Sequence, residues 1–594
     1  MVRICRALDG MPLAIELAAA RLRTMTIEQL ASRLDDRFRL LTSGSRTALP
    51  RHRTLRAVVD WSWELLTEAE RMVLRRLSVF SGGASLEVAE RVCAAPVVEQ
   101  GEVLDLLTSL AEKSLLVAGG DGALRYRMLG TIKEYAADRL AEAGEPDLAR
   151  QAHLRYFTEL AESAEPHLRR AEQLEWLARL EADHDNIGAA MRGAVAAGPA
   201  QAAMRLAAAA GWYWWLGGRR SEGFELIVAA TKVPGEVTDE VRAMVYALVV
   251  MFVTSGRGDG HEAAEWIHQA YRFSQRAQQR NPLLGLVTPL ERMLQAPDAS
   301  LPAFESLLDS EDPWVRALAR MHLGKMRIML GQGGRDAEHN LELAVAAFRA
   351  LGERYGISLA LSELAEQIAK RGEFAGACEH FEQAVAAVTE VGATEDVIRL
   401  RTRQALMYWL NGDRDASAAV IAEAQRSADG VTWPYAQVEL ALAKAELARW
   451  GGDAQQARHQ LGVATAFLGD DAEQASIRAE LHDVLGYLAD DLDQVRTHRI
   501  AAWQAASESG LVPLIAQVIV GVADLAVRLG QYEQAARLLA ASVGVRGQPD
   551  RSRPDIAGIE QAARRHLGEA RFAEVTREGA QASWSELVQV TLAS

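Results

Sequence analysis

Arg371-Gly-Glu-Phe-Ala-Gly-Ala-Cys-Glu-His-Phe-Glu-Gln-Ala384 is a glycine turn that opens directly into a helix-forming run. The glycine can take the left-handed backbone that closes a preceding helix, and Ala377 and Ala384 leave room beside Phe381 for a neighbour. The same form returns at Asn411-Gly-Asp-Arg-Asp-Ala416, Gly451-Gly-Asp-Ala-Gln-Gln-Ala457 and Gly530-Gln-Tyr-Glu-Gln-Ala535. A wider series of short turns falls at Gly217, Gly258, Ala296, Gly331, Gly372, Gly412, Gly452, Asp490 and Gly530, at intervals of 35 to 41 residues. A fixed period of that size predicts a solenoid of helical hairpins, each burying its apolar face on the next.

The small–aromatic–small pattern of Ala377, Phe381 and Ala384 resembles that of a tetratricopeptide (TPR) helix. The period exceeds the ~34 residues of a standard TPR, so longer helices or extended loops are expected. On this basis residues 201–545 form TPR-like repeats, with 280–310 the least regular stretch. Residues 148–200 read as a helical linker, and 546–594, rich in Arg and Pro from Arg546 to Pro554 and helical thereafter, as a C-terminal helical cap.

Strand signals concentrate upstream of the repeats. Ser114-Leu-Leu-Val-Ala118 and Ala123-Leu-Arg-Tyr-Arg-Met128 flank Gly119-Gly-Asp-Gly122, which reads as a β-hairpin. Four helical stretches precede it: Thr54 to Leu66, a helix opened by the capping box Thr67-Glu-Ala-Glu70 and running to about Phe80, one near Ser85 to Ala94, and Glu102 to Lys113. A further helix follows from Thr131 to Ala143. Helices followed by a two-stranded wing predict a winged-helix domain, placed at 49–147. The fold class expected is therefore mainly α: a winged helix followed by a TPR-like α-helical solenoid.

Composition narrows the function. A chain of 594 residues, 49% hydrophobic and 24% charged, is globular and too long for one core. Cys5, Cys93 and Cys378 lie far apart, which argues against a disulfide scaffold and a cysteine-based zinc site. With no leader pattern and no apolar run of spanning length, a cytoplasmic location and no membrane contact are expected. The formal net charge of −15 is carried by residues 151–594, while 1–48 stand at +3 and 49–150 at −3. An acidic helical bulk is repelled by phosphate backbones.

Ile4-Cys-Arg-Ala-Leu-Asp-Gly-Met-Pro-Leu-Ala-Ile-Glu-Leu-Ala-Ala-Ala-Arg-Leu22 resembles the GLPLA segment of NB-ARC-type STAND NTPases (signal-transduction ATPases with numerous domains). The match lies at Gly10-Met11-Pro12-Leu13-Ala14, and the family's order continues with Thr26-Ile-Glu-Gln-Leu30 and Arg51-His-Arg-Thr-Leu-Arg-Ala-Val-Val-Asp-Trp-Ser62. Glu175-Trp-Leu-Ala-Arg-Leu-Glu-Ala-Asp-His-Asp-Asn186 resembles the stretch before the repeats. Met128-Leu-Gly-Thr-Ile-Lys-Glu-Tyr-Ala136 is similar to a segment after the wing in bacterial members. The whole resembles the C-terminal two-thirds of large bacterial transcriptional regulators of the antibiotic-regulatory and LuxR-related kinds. The resemblance implies that residues 1–48 are a remnant of the helical part of an NB-ARC ATPase module, with Pro12 on the adenine side. It also implies that Leu129 stands where the family's Met-His-Asp motif has a histidine on a diphosphate.

The chain departs from that family in its nucleotide chemistry. Gly-x-x-x-x-Gly-Lys-[Ser/Thr] is absent, and the nearest approach, Gly324-Lys325, is followed by Met326 and has Ala319 at the first glycine position. The chain would thus begin inside a STAND architecture, its ATPase core missing or on another polypeptide, and no cofactor is expected. The usual reading helix, Glu102 to Lys113, sets Glu102, Asp105 and Glu112 against Lys113 and suits a major groove poorly. Trp212-Tyr-Trp-Trp215 and Tyr408-Trp409 read as packing, Trp433-Pro434-Tyr435 as a turn into a helix, and His184 between Asp183 and Asp185 as a solvated helix end. No catalytic or metal-ligand spacing stands out, so no enzyme is expected. The reading reached is a regulatory, signal-sensing fragment of a STAND-type transcriptional regulator. Its groove would take a protein, a peptide or a small effector, and its winged helix would answer to a nucleotide-binding module, missing here or on a separate polypeptide. The alternatives are a free-standing TPR scaffold and a DNA-binding regulator acting through its own winged helix.

Overall fold

The computed structural model describes residues 55–95, 97–119, 124–254, 260–278 and 281–594. The expectation for 1–48, Pro12 included, lies outside the described residues. The chain forms two compact units, residues 1–163 with 179–209 and residues 164–178 with 210–594.

In the first unit, α1 (Leu55–Glu64), α2 (Glu68–Leu77), α3 (Leu86–Cys93) and α4 (Val103–Glu112) lead into β1 (Val117–Gly119) and β2 (Arg125–Arg127). Helices α5 (Gly130–Glu142) and α6 (Pro146–Ala164) follow. This is the winged helix the sequence predicts. The capping box at the start of α2 is present: Glu70 N–H donates to Thr67 Oγ1 at 3.3 Å, and Thr67 N–H donates back to Glu70 Oε2 at 2.8 Å. Val73, Leu77, Phe80, Val88, Leu107 and Leu110 form the buried interior.

The wing is shorter than the alternation suggested, pairing only Val117 with Arg127, Ala118 with Tyr126 and Gly119 with Arg125. Leu115 and Leu116 are core residues instead, because Leu115 N–H closes the end of α4 on Leu110 O at 3.0 Å. Ala84 completes the sheet edge, exchanging both backbone hydrogen bonds with Tyr126.

Helices α7 (Gln173–Ala182), α8 (His184–Ala197) and α9 (Ala200–Leu216) follow. The second unit continues with α10 (Arg220–Thr231), α11 (Asp239–Thr254) and α12 (Gly260–Ser274). Short pieces come next, α13 (Val287–Gln295) and α14 (Ser300–Ser306), with 3-10 turns at Pro282–Leu286, Pro297–Ala299 and Leu307–Asp309. That is the irregular stretch expected at 280–310.

Regular hairpins then pair α15 (Pro313–Met329) with α16 (Arg335–Leu351), α17 (Arg354–Lys370) with α18 (Phe374–Val391), and α19 (Thr394–Leu410) with α20 (Arg414–Ala428). They continue with α21 (Pro434–Trp450) and α22 (Ala454–Leu468), α23 (Ala475–Leu488) and α24 (Leu492–Ser509), and α25 (Val512–Arg528) and α26 (Tyr532–Arg546). Five of the six hairpins turn through a left-handed glycine, Gly331, Gly372, Gly412, Gly452 or Gly530, with φ between 71° and 88°. Their helices run 14 to 18 residues, which accounts for a period longer than a standard TPR.

The array ends in α27 (Pro554–Gln581), kinked at Gly568, and α28 (Trp584–Ala593). These cover the last hairpin, burying Ile559 and Val588 with Val518, Val522, Ala535 and Leu538. The α15–α16 turn also meets the end of α26. A Cβ on Gly331 would lie 2.4 Å from Val545 O, and one on Gly547 only 1.9 Å from Gly331 O, so neither position admits a side chain.

Candidate functional site

Helix α4 is where a winged helix ordinarily reads DNA. Its buried side carries Val103, Leu107 and Leu110; its exposed side carries Leu104, Asp105, Thr108 and Glu112, with Glu102 just before it. Lys113, just after it, is engaged: its Nζ pairs with Glu70 Oε1, which also accepts from Ser109 Oγ at 2.6 Å. Burial alone would raise the Glu70 carboxyl, but Lys113, Ser109 and the Thr67 backbone outweigh it and hold it at about 2. The outward face of α4 is therefore acidic and apolar.

A second polar centre joins the wing to the start of α8. Arg125 on β2 donates to Asp183 Oδ1 at 2.6 Å and to Gly83 O at 2.9 Å. Asn186 Oδ1 accepts from the N–H groups of Ser81 and Gly82, and its amide donates to Gly83 O and Asp183 Oδ1. Arg125, Asp183 and Asn186 are all buried. The solvated helix end expected at His184 is thus half right: Asp185 is exposed and His184 half-buried, while Asp183 is consumed by Arg125. Leu129 is the N-cap residue of α5 and is half-buried, with no side-chain cap bond.

In the second unit Trp212, Tyr213, Trp214 and Trp215 are all buried, as packing requires. Trp212 and Trp215 meet Tyr355 edge-on, and Trp212 meets Trp314. Arg220 lies 4.0 Å over the Trp215 ring and pairs with Asp396. Trp433 caps α21, which opens at Pro434.

A row of charged side chains runs along the first helices of successive hairpins. These helices pack side by side, α15 on α17, α19 on α21 and α23 on α25. Lys325 on α15 pairs with Glu363 on α17 at 3.0 Å, so the lysine of the Gly324-Lys325 pair serves a helix-to-helix bridge. Burial would raise the Glu363 carboxyl, yet Lys325 and Arg399 hold it below the usual range. Next in the row, Arg403 on α19 feels Glu366 on α17, Glu439 on α21 and Glu480 on α23 through space. Among the described residues none of these four makes an ion pair, Arg403 and Glu480 are exposed, and Glu439 keeps one carboxylate oxygen unbonded. Burial raises the Glu439 carboxyl against the pull of Arg399 and Arg403.

These four are three carboxylates and one guanidinium, incompletely paired, which suits recognition of a charged or polar polypeptide. Sequence reasoning missed the row because each residue alone looks like a solvated helix face. Covalent chemistry has less support: burial pushes the Cys93 and Cys378 thiols up to about 12. Among the described residues, no three His, Cys, Asp or Glu side chains group as metal ligands, and no helix is long and apolar enough to cross a membrane.

Comparison with known proteins matches residues 66–141 to a winged helix-turn-helix domain family. A protein of Mycobacterium tuberculosis, provisionally named an HTH-type transcriptional regulator, is 42% identical over 213 residues, 36% of this chain and 24% of the relative. Its counterpart in Mycobacterium bovis matches equally. An uncharacterized M. tuberculosis protein is 42% identical over 157 residues, 26% of this chain and 40% of that one. The chain spans about a quarter of the length of the HTH-type relatives it matches. Among solved structures, a STAND protein with a tetratricopeptide repeat sensor from Pyrococcus horikoshii aligns over 95% of this chain and 74% of its own, at 14% identity and a TM-score of 0.33. Yeast Tom70 aligns over 74% of this chain and 97% of its own, at 12% identity and a TM-score of 0.30.

Proposed function

We propose that this chain is the signal-sensing, protein-interacting arm of a STAND-type transcriptional regulator. It acts as a non-enzymatic regulator in the cytoplasm. The relatives named as HTH-type transcriptional regulators support a regulatory role. The observation that carries the sensing part is the incompletely paired row of Glu366, Arg403, Glu439 and Glu480 along the first helices of the hairpins. In this reading residues 49–147 are the responding winged helix, 148–200 a linker, 201–545 the sensor and 546–594 its cap, with 1–48 the remnant of an ATPase module. Pro12 and Leu129 are then vestiges: an apolar contact to an adenine and a leucine where a phosphate contact would be. A nucleotide-binding module would be the winged helix's partner.

Direct DNA reading by α4 is the weaker alternative, since its exposed face offers Asp105 and Glu112 and its neighbour Lys113 is held by Glu70. A free-standing TPR scaffold would share the charged row but leave transcription untouched. The test is made in the cell, at the natural locus, by deleting the gene or by placing Arg403→Glu or Glu480→Arg in it. Deletion is expected to change a defined set of transcripts, and each charge reversal to change the same set. Unchanged transcripts on deletion would overturn the regulatory role; changes on deletion that neither variant reproduces would overturn the role of the row.

A further inference from the structure

Between α26 and α27 runs Gly547-Gln-Pro-Asp-Arg-Ser-Arg553, a segment without helix or strand. Connections of this kind ordinarily pass over the surface. This one is tied to hairpins far apart in the chain. Gly547 packs on the Gly331 carbonyl at the α15–α16 turn. Gln548 donates to Gln367 Oε1 on α17 at 2.7 Å. The Arg551 N–H donates to Lys370 O, at the end of α17, at 2.8 Å, and the Arg551 stem lies on Gly372. Arg553 donates to Gln517 on α25, close to Glu446 and Asp483. Asp555, at the start of α27, accepts both terminal nitrogens of Arg449 at 2.8 and 2.9 Å.

Those contacts are the kind by which a repeat surface holds a peptide: a backbone hydrogen bond, an amide pair, and a bidentate ion pair that fixes register. The segment also reaches the charged row through space, since Arg553 joins Arg403 in favouring the charged form of Glu480. Pro549 and Pro554 restrict the segment's backbone, lowering the entropy lost on binding.

We propose that the hairpin surface holding this segment is a peptide-recognition site, occupied in cis by residues 547–555. In trans it takes a partner protein's segment of the same chemistry, an arginine and an aspartate on either side of a proline, as in Arg553-Pro-Asp555. The partner class deepens the sensing role proposed above, but peptide binding is read without reference to any transcript. A tethered occupant competes at an effective concentration on the order of millimolar, so a free partner meets a largely closed site unless the segment is displaced.

The test uses a fluorescein-labelled peptide of residues 546–556 and the whole chain. A release variant, Arg553→Ser with Asp555→Ser, is expected to bind the peptide at least tenfold more tightly than the parent. Adding Arg449→Glu to it should lower that affinity at least tenfold, and a peptide with both positions serine should not bind. Equal affinity for parent and release variant, or indifference to the peptide's arginine and aspartate, would overturn the proposal. The unaltered parent gives an independent reading by hydrogen exchange at the Arg551 amide. That amide is expected to be protected, and to exchange faster in millimolar peptide while the amides of α25 do not change. Protection unaffected by peptide would overturn the proposal, whether or not the release variant folds.

Discussion

Replacing Asp483 by alanine would leave a fully buried guanidinium without its main counter-charge. Arg499 is 0% exposed, and its Nη1 donates to Asp483 Oδ1 at 2.6 Å and to the Asp483 carbonyl at 2.8 Å. Its Nη2 reaches Asp524 at 3.4 Å, and its plane lies 4.0 Å over the Tyr487 ring. The other Asp483 oxygen accepts from Gln517 at 2.9 Å. Glycines at 486 and 521 make the space, since a Cβ at either would lie within 3 Å of Arg499. Removing one partner of a buried pair costs roughly 3–5 kcal/mol, and the stranded Gln517 amide adds about 1 kcal/mol. Asp524 and Tyr487 retain part of the compensation, so Asp483→Ala should cost about 3–4 kcal/mol. Combining it with Arg499→Met removes both charges and should cost about 1–2 kcal/mol, far less than the sum of the single changes. Hydrogen exchange across α23 to α25, with urea unfolding followed by circular dichroism, measures this in a repeat array whose parts can open separately. Loss below about 0.5 kcal/mol for Asp483→Ala, or simple additivity in the double variant, would refute the reasoning.

Other outcomes follow from neighbouring features. Asn186→Ala removes the acceptor of two backbone N–H groups and a donor to Gly83 O, and should destabilise the first unit by about 2–3 kcal/mol in thermal melts. Ala535 is fully buried beneath the last helices, so Ala535→Arg should cost several kcal/mol, and an unchanged melt would show that the hairpin packing is wrong there. Burial between Phe80 and Phe157 depresses His153 from 6.5 to about 3. The unfolded chain therefore binds the extra proton first, and stability present above about pH 6.5 is lost as pH falls toward 3, by at most ~1.4 kcal/mol per pH unit. His153→Phe should flatten that limb in acid titrations of the first unit, and an unaltered slope would remove His153 as its cause.

The repeats were legible because their turns are local. Gly331, Gly372, Gly412, Gly452 and Gly530 each need the left-handed backbone that glycine alone adopts freely, and the alanines after them mark close packing. The Thr67–Glu70 box was legible for the same reason, since both of its bonds span three residues. Less could be read where partners are distant in the chain. Arg125 and Asp183 are 58 residues apart, and Gln548 and Gln367 are 181 apart; nothing local announces either pair. The segment 547–553 has no periodicity at all, so its two arginines and its proline suggested only a cap. The charged row failed to show for another reason. Glu366, Arg403, Glu439 and Glu480 sit on polar helix faces that look solvent-facing until neighbouring hairpins bring them together.

That recognition belongs to the repeats rather than to α4 is the central claim, and binding to duplex DNA tests it most directly. Fluorescence anisotropy of labelled genomic duplexes would be titrated with the whole chain at about 50 mM salt, where phosphate contacts are strongest. With Glu102, Asp105 and Glu112 near the groove-facing side and Lys113 held by Glu70, no saturable complex tighter than about 1 µM is expected. A sub-micromolar complex whose affinity falls steeply between about 50 and 200 mM salt would contradict the account and return the reading role to the winged helix.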